Sequence, residues 1–198
     1  MLLRISMIGS VLASLPLLAN GLSIPLARTS SVPFLSPASN GGSQLDSSAG
    51  LGEPLNIIVS ALSSPDVLTD DGFLNWAKSI HFSTECMGFH IGNPQTANLG
   101  DGLGSQNQIA VIREDFNNVG LGTCLESLAG GNHFRYWRQG RDRIVRAANG
   151  TTSFHGTTYA TAVEFLDNLL PVGSNGINHG ISVDGRVALL TISKVKGG

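Results

Sequence analysis

Five histidines could carry proton chemistry: His81, His90, His133, His155 and His179. Two share a setting, Gly-Asn-His133 and Ile-Asn-His179-Gly, and a loop histidine between Asn and Gly suits a general base or metal ligand. Each could equally bond backbone at a strand end. Glu126 and Asp115 are the carboxylates that could orient His133. Arg135, Arg138, Arg141, Arg143 and Arg146 crowd five guanidinium forks into twelve residues, a geometry suited to carboxylate or phosphate. Trp137 among them could stack a sugar or a base. The binding candidates are thus Arg135, Trp137, Arg138 and Arg141, and the same cluster could instead be a solvated face paired with Asp142.

Other motifs carry less. The loop Gly100-Asp-Gly-Leu-Gly104 lacks the GxGxxG spacing and no strand leads directly into it. Asp101 with Asn98 and Asn107 offers too few carboxylates for calcium, so an ordinary loop is expected. Neither a Gly-x-Ser-x-Gly elbow nor a His-Glu-x-x-His pair occurs. No metal or cofactor is expected, and the ligand is expected to be a carbohydrate or an anion. A net charge of −2 over 198 residues argues against nucleic acid as a partner.

The elements that must position these residues follow from patterning. Met1-Leu-Leu-Arg4 and the apolar Ile5–Ala19 run read as a secretory signal over residues 1–21, cut after Gly21, and too short to span a bilayer. A buried N-terminal helix is the alternative. Charged residues are only 13%, which suits an extracellular β-rich chain. In an oxidising compartment Cys86 and Cys124 form one disulfide, and two buried thiols otherwise. Asn149-Gly-Thr151 is a glycosylation acceptor, or a plain Asn-Gly helix cap. Residues 22–52, rich in Ser, Pro and Gly, read as a disordered linker, with Thr29, Ser30 and Ser31 open to O-glycosylation. That leaves 53–198 as one α+β domain.

Within it, Pro54–Leu62 reads as a buried strand. A helix then starts near Pro65 and faces Phe73, Leu74, Trp76, Ala77 and Ile80 inward. Gln108–Phe116 and Asn132–Gln139 are strands, the second alternating Phe134 and Tyr136 against Arg135 and Trp137. Gly140–Ala148 has helical composition. Thr151–Ala160 holds two strand pieces about a tight turn, and Val163–Leu170 is apolar and amphipathic up to Pro171. Gly180–Ile192 reads as a hairpin turning at Asp184-Gly185. Together these predict a single mixed or antiparallel sheet, two or three packed helices and one disulfide.

At Gly130-Gly-Asn-His-Phe-Arg-Tyr-Trp-Arg138 followed by Gly140-Arg-Asp-Arg-Ile-Val145, the chain resembles a family of uncharacterised secreted proteins of basidiomycete fungi. Leu68–Leu74, Ser83-Thr-Glu-Cys86, Asn98–Gly102, Gly122–Ser127 and Gly176–Gly180 carry the same likeness, which spans about Glu53 to Thr191. More weakly, Pro54–Ile58 and His133–Arg138 are similar to the LssY-like C-terminal domain of bacteria. Such domains place another apolar strand and a His-containing segment before the Gly-Arg-Asp helix, whereas here Gln139 runs straight into Gly140-Arg141. The departure implies a bare sheet edge after His133–Arg138. The resemblance implies location and fold more than mechanism. It leaves two expectations: a binding module at the cell surface or host interface, or a secreted hydrolase using His133 with Glu126 or Asp115 on an anionic substrate.

Overall fold

The computed structural model describes residues 32–48, 50–90, 92–140 and 150–195. The signal segment, Arg141, the Gly140–Ala148 helix beyond its first residue and the Asn149 acceptor lie outside the described residues. The class is α+β, but the strands divide into three sheets instead of one. Among the described residues there are nine strands: β1 (Ile57–Val59), β2 (Phe82–Thr84), β3 (Thr96–Asn98), β4 (Ser105–Asn107), β5 (Ala110–Glu114), β6 (His133–Tyr136), β7 (Gly150–Phe154), β8 (Thr157–Leu166) and β9 (Val187–Val195). The α-helices are α1 (Asp70–Ser79) and α2 (Gly122–Ala129).

The four-stranded sheet runs β1-β9-β8-β7, with β1 parallel to β9 and the other pairs antiparallel. The three-stranded sheet runs β2-β5-β6, all antiparallel, and β3 pairs β4 separately. Helix α1 brings the two larger sheets into one core. Its Thr69 cap accepts from the Gly72 N–H at 3.1 Å, and Asp70 and Asp71 favour the positive end of the helix. The start falls at Thr69, later than Pro65 suggests, because the cap bond is made there. Phe73, Trp76 and Ala77 are wholly buried against Val59, Leu190 and Ile192 of one sheet and Ile112, Phe134 and Tyr136 of the other. Trp76 Nε1 donates to Thr161 Oγ1 at 3.2 Å, so the indole is buried without an orphaned donor.

Three expectations change. First, the described residues of the 22–52 linker are part of the domain. Gln44, Asp46 and Ser48 are buried, and Leu45 and Ser47 bridge to Pro54 and Thr96. Gln139 clasps the Leu35 backbone with both ends of its amide, at 2.8 Å each. Polar and backbone bonds hold this stretch, so its poverty in apolar residues did not prevent ordering.

Second, the terminal hairpin does not form. Val187, Leu190 and Ile192 are fully buried, and β9 is already paired on both edges by β1 and β8, leaving no edge for a mate. Asp184-Gly185 still turns, with Gly185 at φ 83°, where a side chain would meet Val172 and the Leu170 carbonyl. Third, the apolar run from Val163 continues β8 to Leu166. The tight turn at His155-Gly156 is present, with both residues at positive φ and β7 paired to β8 across it.

Candidate functional site

Strands β5 and β6 alternate, and this sets the site. Ile112, Phe134 and Tyr136 enter the core, while Arg113 lies directly opposite His133, and Val111 opposite Arg135, on the other face. Helix α2 covers part of that second face. Asn118 Oδ1 accepts from the Gly120 and Leu121 N–H groups at 3.2 and 3.0 Å, starting the helix, and Gly130 ends it. Gly122 has no alternative there, because a Cβ would lie 1.6 Å from the Asp115 carbonyl oxygen.

Glu126 is delivered by α2 as a buried carboxylate. Its Oε1 lies 2.9 Å from His133 Nδ1, and its Oε2 accepts from Arg113 Nη1 at 2.5 Å. Arg113 also donates through Nε and Nη2 to Glu85 Oε1, at 3.2 and 3.0 Å. Glu85 Oε2 lies 2.6 Å from His90 Nδ1, completing the chain His133–Glu126–Arg113–Glu85–His90. Burial opposes the Arg113 charge, but the two carboxylates outweigh it and hold the guanidinium above its ordinary range. The Cys86–Cys124 disulfide is formed, with Cα atoms 4.5 Å apart. Cys86 follows Glu85 directly and Cys124 precedes Glu126 by two, so the bridge fastens the backbone beneath both carboxylates. It joins the segment after α1 to the approach of β6.

On this face opens a cleft of about 400 Å³, whose walls include His133, Arg135, Asp46, Ser48, Glu53 and His179. The wall opposite β6 is made of loop. Gly52 N–H donates to the Gly176 carbonyl and Asn178 N–H to the Gly52 carbonyl, both at 2.9 Å, which staples 176–178 to 52. Asn178 Nδ2 then donates to Glu53 Oε1 at 2.9 Å, and that oxygen lies 3.4 Å from His179 Nε2. His179 sits at φ 63° in a single 3-10 turn, Asn178–Gly180.

Asp46 accepts from the Glu53 N–H at 2.7 Å. Burial pushes the Asp46 carboxyl up, against the pull of that N–H and of the Arg135 charge. The Ser48 hydroxyl lies near enough to favour the anion, yet its buried Oγ has no partner in hydrogen-bonding geometry among the described residues.

Of the residues singled out from the sequence, His133, Glu126 and Arg135 come together. Asp115 does not. It is buried just past the end of β5, two residues beyond Arg113, but its carboxylate accepts from the Asn117 N–H at 2.9 Å and lies 3.4 Å from His81, so it is committed away from His133. Trp137 borders the cleft but is 3% exposed. Its indole packs on Ala97 and Leu99 and donates to the Gln106 carbonyl at 3.1 Å, so no face is open for stacking a ligand. Arg138 pairs with Asp70 at the start of α1, away from the cleft. Asp101 caps its loop: burial opposes its charge, but the Gly140 and Leu103 N–H groups and the Gln106 amide hold its carboxyl below the usual range.

The chain matches no family model, no curated protein and no solved structure.

The chemistry of the cleft therefore rests on its own side chains. Among the described residues, no group of three or more His, Cys, Asp or Glu is placed to hold a metal ion. Sequence reasoning missed Asp46, Glu53, Asn178 and Arg113. One signal was present: Asp46 is the sole carboxylate between residues 22 and 52, an unusual charge in a stretch otherwise nearly free of it.

Proposed function

We propose that the cleft is an acid–base hydrolytic site for a small anionic substrate, in a protein exported from its cell. One observation carries this reading: His133 and Arg135 line a single cleft, and the buried Glu126 carboxylate is bonded to His133 from behind it. A proton on His133 Nδ1, donated to Glu126, selects the tautomer in which Nε2 is the basic nitrogen. Glu126 is then a positioning residue, fixed in turn by Arg113. Arg135, two residues along the same strand, supplies a fork for the anionic group.

Export is supported by the apolar leader, by the joined cysteines and by the resemblance to secreted fungal proteins. Among the described residues, no helix is long and apolar enough to cross a membrane. Mass spectrometry of the secreted chain is expected to show a new N-terminus after Gly21 and a glycan on Asn149.

The decisive test is His133→Ala against a panel of chromogenic phosphate, carboxylate and glycoside esters. Turnover is expected to fall on the order of 10²–10⁴-fold, the usual contribution of a general base, with the melting temperature nearly unchanged. A variant that merely melts lower makes His133 structural. Carbohydrate or anion binding without any turnover by the wild-type chain places the protein among binding modules at the cell surface or host interface.

A further inference from the structure

The cleft is lined by two imidazoles from separate segments, strand β6 and the 176–180 loop, each beside a carboxylate: His133 with Glu126, and His179 with Glu53. We propose that His179 is a second catalytic residue, the general acid that complements His133, and that the substrate is a phosphodiester. This inference rests on the hydrolytic reading of the same cleft.

The charge inventory selects the substrate. Arg113 lies behind the wall, shared between Glu126 and Glu85, and the cleft itself carries Arg135 against Asp46 and Glu53. With both imidazoles neutral the balance is negative and an anion is repelled. One imidazolium brings the balance to neutral, and the state that admits an anion is then also the state that can protonate a leaving group. A phosphodiester is a monoanion and suits this single proton, whereas a phosphomonoester dianion brings one more negative charge.

The acid's role falls to His179, whose Nε2 lies 3.4 Å from Glu53 Oε1, an oxygen itself steadied by the Asn178 amide. His133 keeps its proton on Nδ1, toward Glu126, and takes up the next one at Nε2. Independently, the buried Ser48 hydroxyl lines the cleft without a hydrogen-bond partner among the described residues, a donor suited to a non-bridging phosphoryl oxygen.

The step balances without a redox partner. His133 Nε2 removes a proton from water as its oxygen attacks phosphorus. The bond from phosphorus to the leaving oxygen breaks, and the His179 imidazolium gives its proton to that oxygen. The products are an alcohol and a phosphomonoester. His133 returns its proton to solvent and His179 regains one, closing the cycle.

The test is leaving-group dependence in the full chain. Two phosphodiesters are compared: bis(p-nitrophenyl) phosphate, whose phenolate leaves without protonation, and diethyl phosphate, whose ethoxide needs a proton as it leaves and is read as released ethanol. His179→Gln is expected to cut kcat for alkyl-oxygen cleavage roughly 10²-fold or more while changing kcat for p-nitrophenolate release by less than about 5-fold, with KM rising for both because the imidazolium that offsets the cleft's carboxylates is gone. It should also remove the alkaline limb of the kcat/KM–pH profile, whereas His133→Gln removes the acid limb. His179 is exposed, so the folded state should survive the change, with an unaltered melting temperature as the check.

Equal losses of kcat on both leaving groups, or an alkaline limb that persists, overturn the role of His179 while leaving His133 as the base. Turnover of carboxylate or glycoside esters but of neither phosphodiester overturns the substrate class alone. Absence of turnover on the whole panel removes both this inference and the hydrolytic reading.

Discussion

The two walls of the cleft hold their histidines by different physics. The His133 wall is a strand edge backed by a buried ion chain and a disulfide. The His179 wall is a loop held by backbone bonds between 52 and 176–178 and by one asparagine amide. Removing a partner from the first leaves buried charge uncompensated, so its parts fail together. In the second the side-chain contacts of Asn178 and His179 lie nearer solvent, where water can replace them, so their failures stay local. The mechanical consequence is a rigid mount for His133 and a more adaptable one for His179.

Breaking the braced wall should have the largest effect. Cys86→Ser with Cys124→Ser opens a loop whose ends are 38 residues apart, and chain entropy puts the loss at about 4 kcal/mol. Denaturant melts should show that loss, and His133-dependent turnover should weaken even in the folded fraction as Glu85 and Glu126 lose their common fastening. Stability equal to wild type would mean the ion chain holds this wall without the bridge.

Arg113→Met comes next. It keeps the stem but leaves Glu85 and Glu126 buried without their shared cation, and should cost about 3 kcal/mol near neutral pH. Protonating the two carboxylates removes the uncompensated charge, so the deficit should shrink in acid. A deficit that is flat between pH 7 and pH 4 would assign the loss to packing.

On the loop wall, Asn178→Ala should cost only about 1 kcal/mol, the usual net worth of such a bond. Its larger effect should fall on kcat, because Glu53 and His179 lose their alignment. Should stability fall as far as in Arg113→Met, the contrast between the walls would be lost.

Asp46→Asn should give the smallest change, and of opposite sign. Burial raises the folded carboxyl above its ordinary value, so the ionised form disfavours the fold at any pH above that raised value. The asparagine variant should melt slightly higher at pH 7, and the gain should vanish as the pH falls through the raised value to the ordinary carboxylate range. A gain that persists at low pH would point to packing and not to charge.

Local patterns were legible wherever one interaction decided the outcome. The Phe73, Trp76 and Ala77 face, the Phe134 and Tyr136 alternation and the His155-Gly156 turn follow from periodicity and positive φ alone. Trp137 shows where such reasoning stops. Alternation places it outward with Arg135, but β6 ends at Tyr136, and the indole turns in to fill the space over Ala97 and Leu99. Arg138 likewise leaves the arginine cluster for Asp70, sixty-eight positions away in the chain. Helix α2 gave little warning, since its eight residues carry a weak apolar stripe and the capping Asn118 lies four positions before its first residue. Its neighbours make it: the glycine that clears the Asp115 carbonyl, and the arginine that draws Glu126 inward.

By itself, then, the amino-acid order determined the α+β class, the cysteine pairing and the candidacy of His133, Glu126 and Arg135, because each depends on residue type or short-range spacing. Only the tertiary structure decided that Asp46, Ser48, Glu53 and His179 face them, that Asp115 does not, and that three sheets form where one was expected. Those outcomes depend on which distant segments share buried charge and backbone bonds. Such energies appear only once the chain has closed on itself.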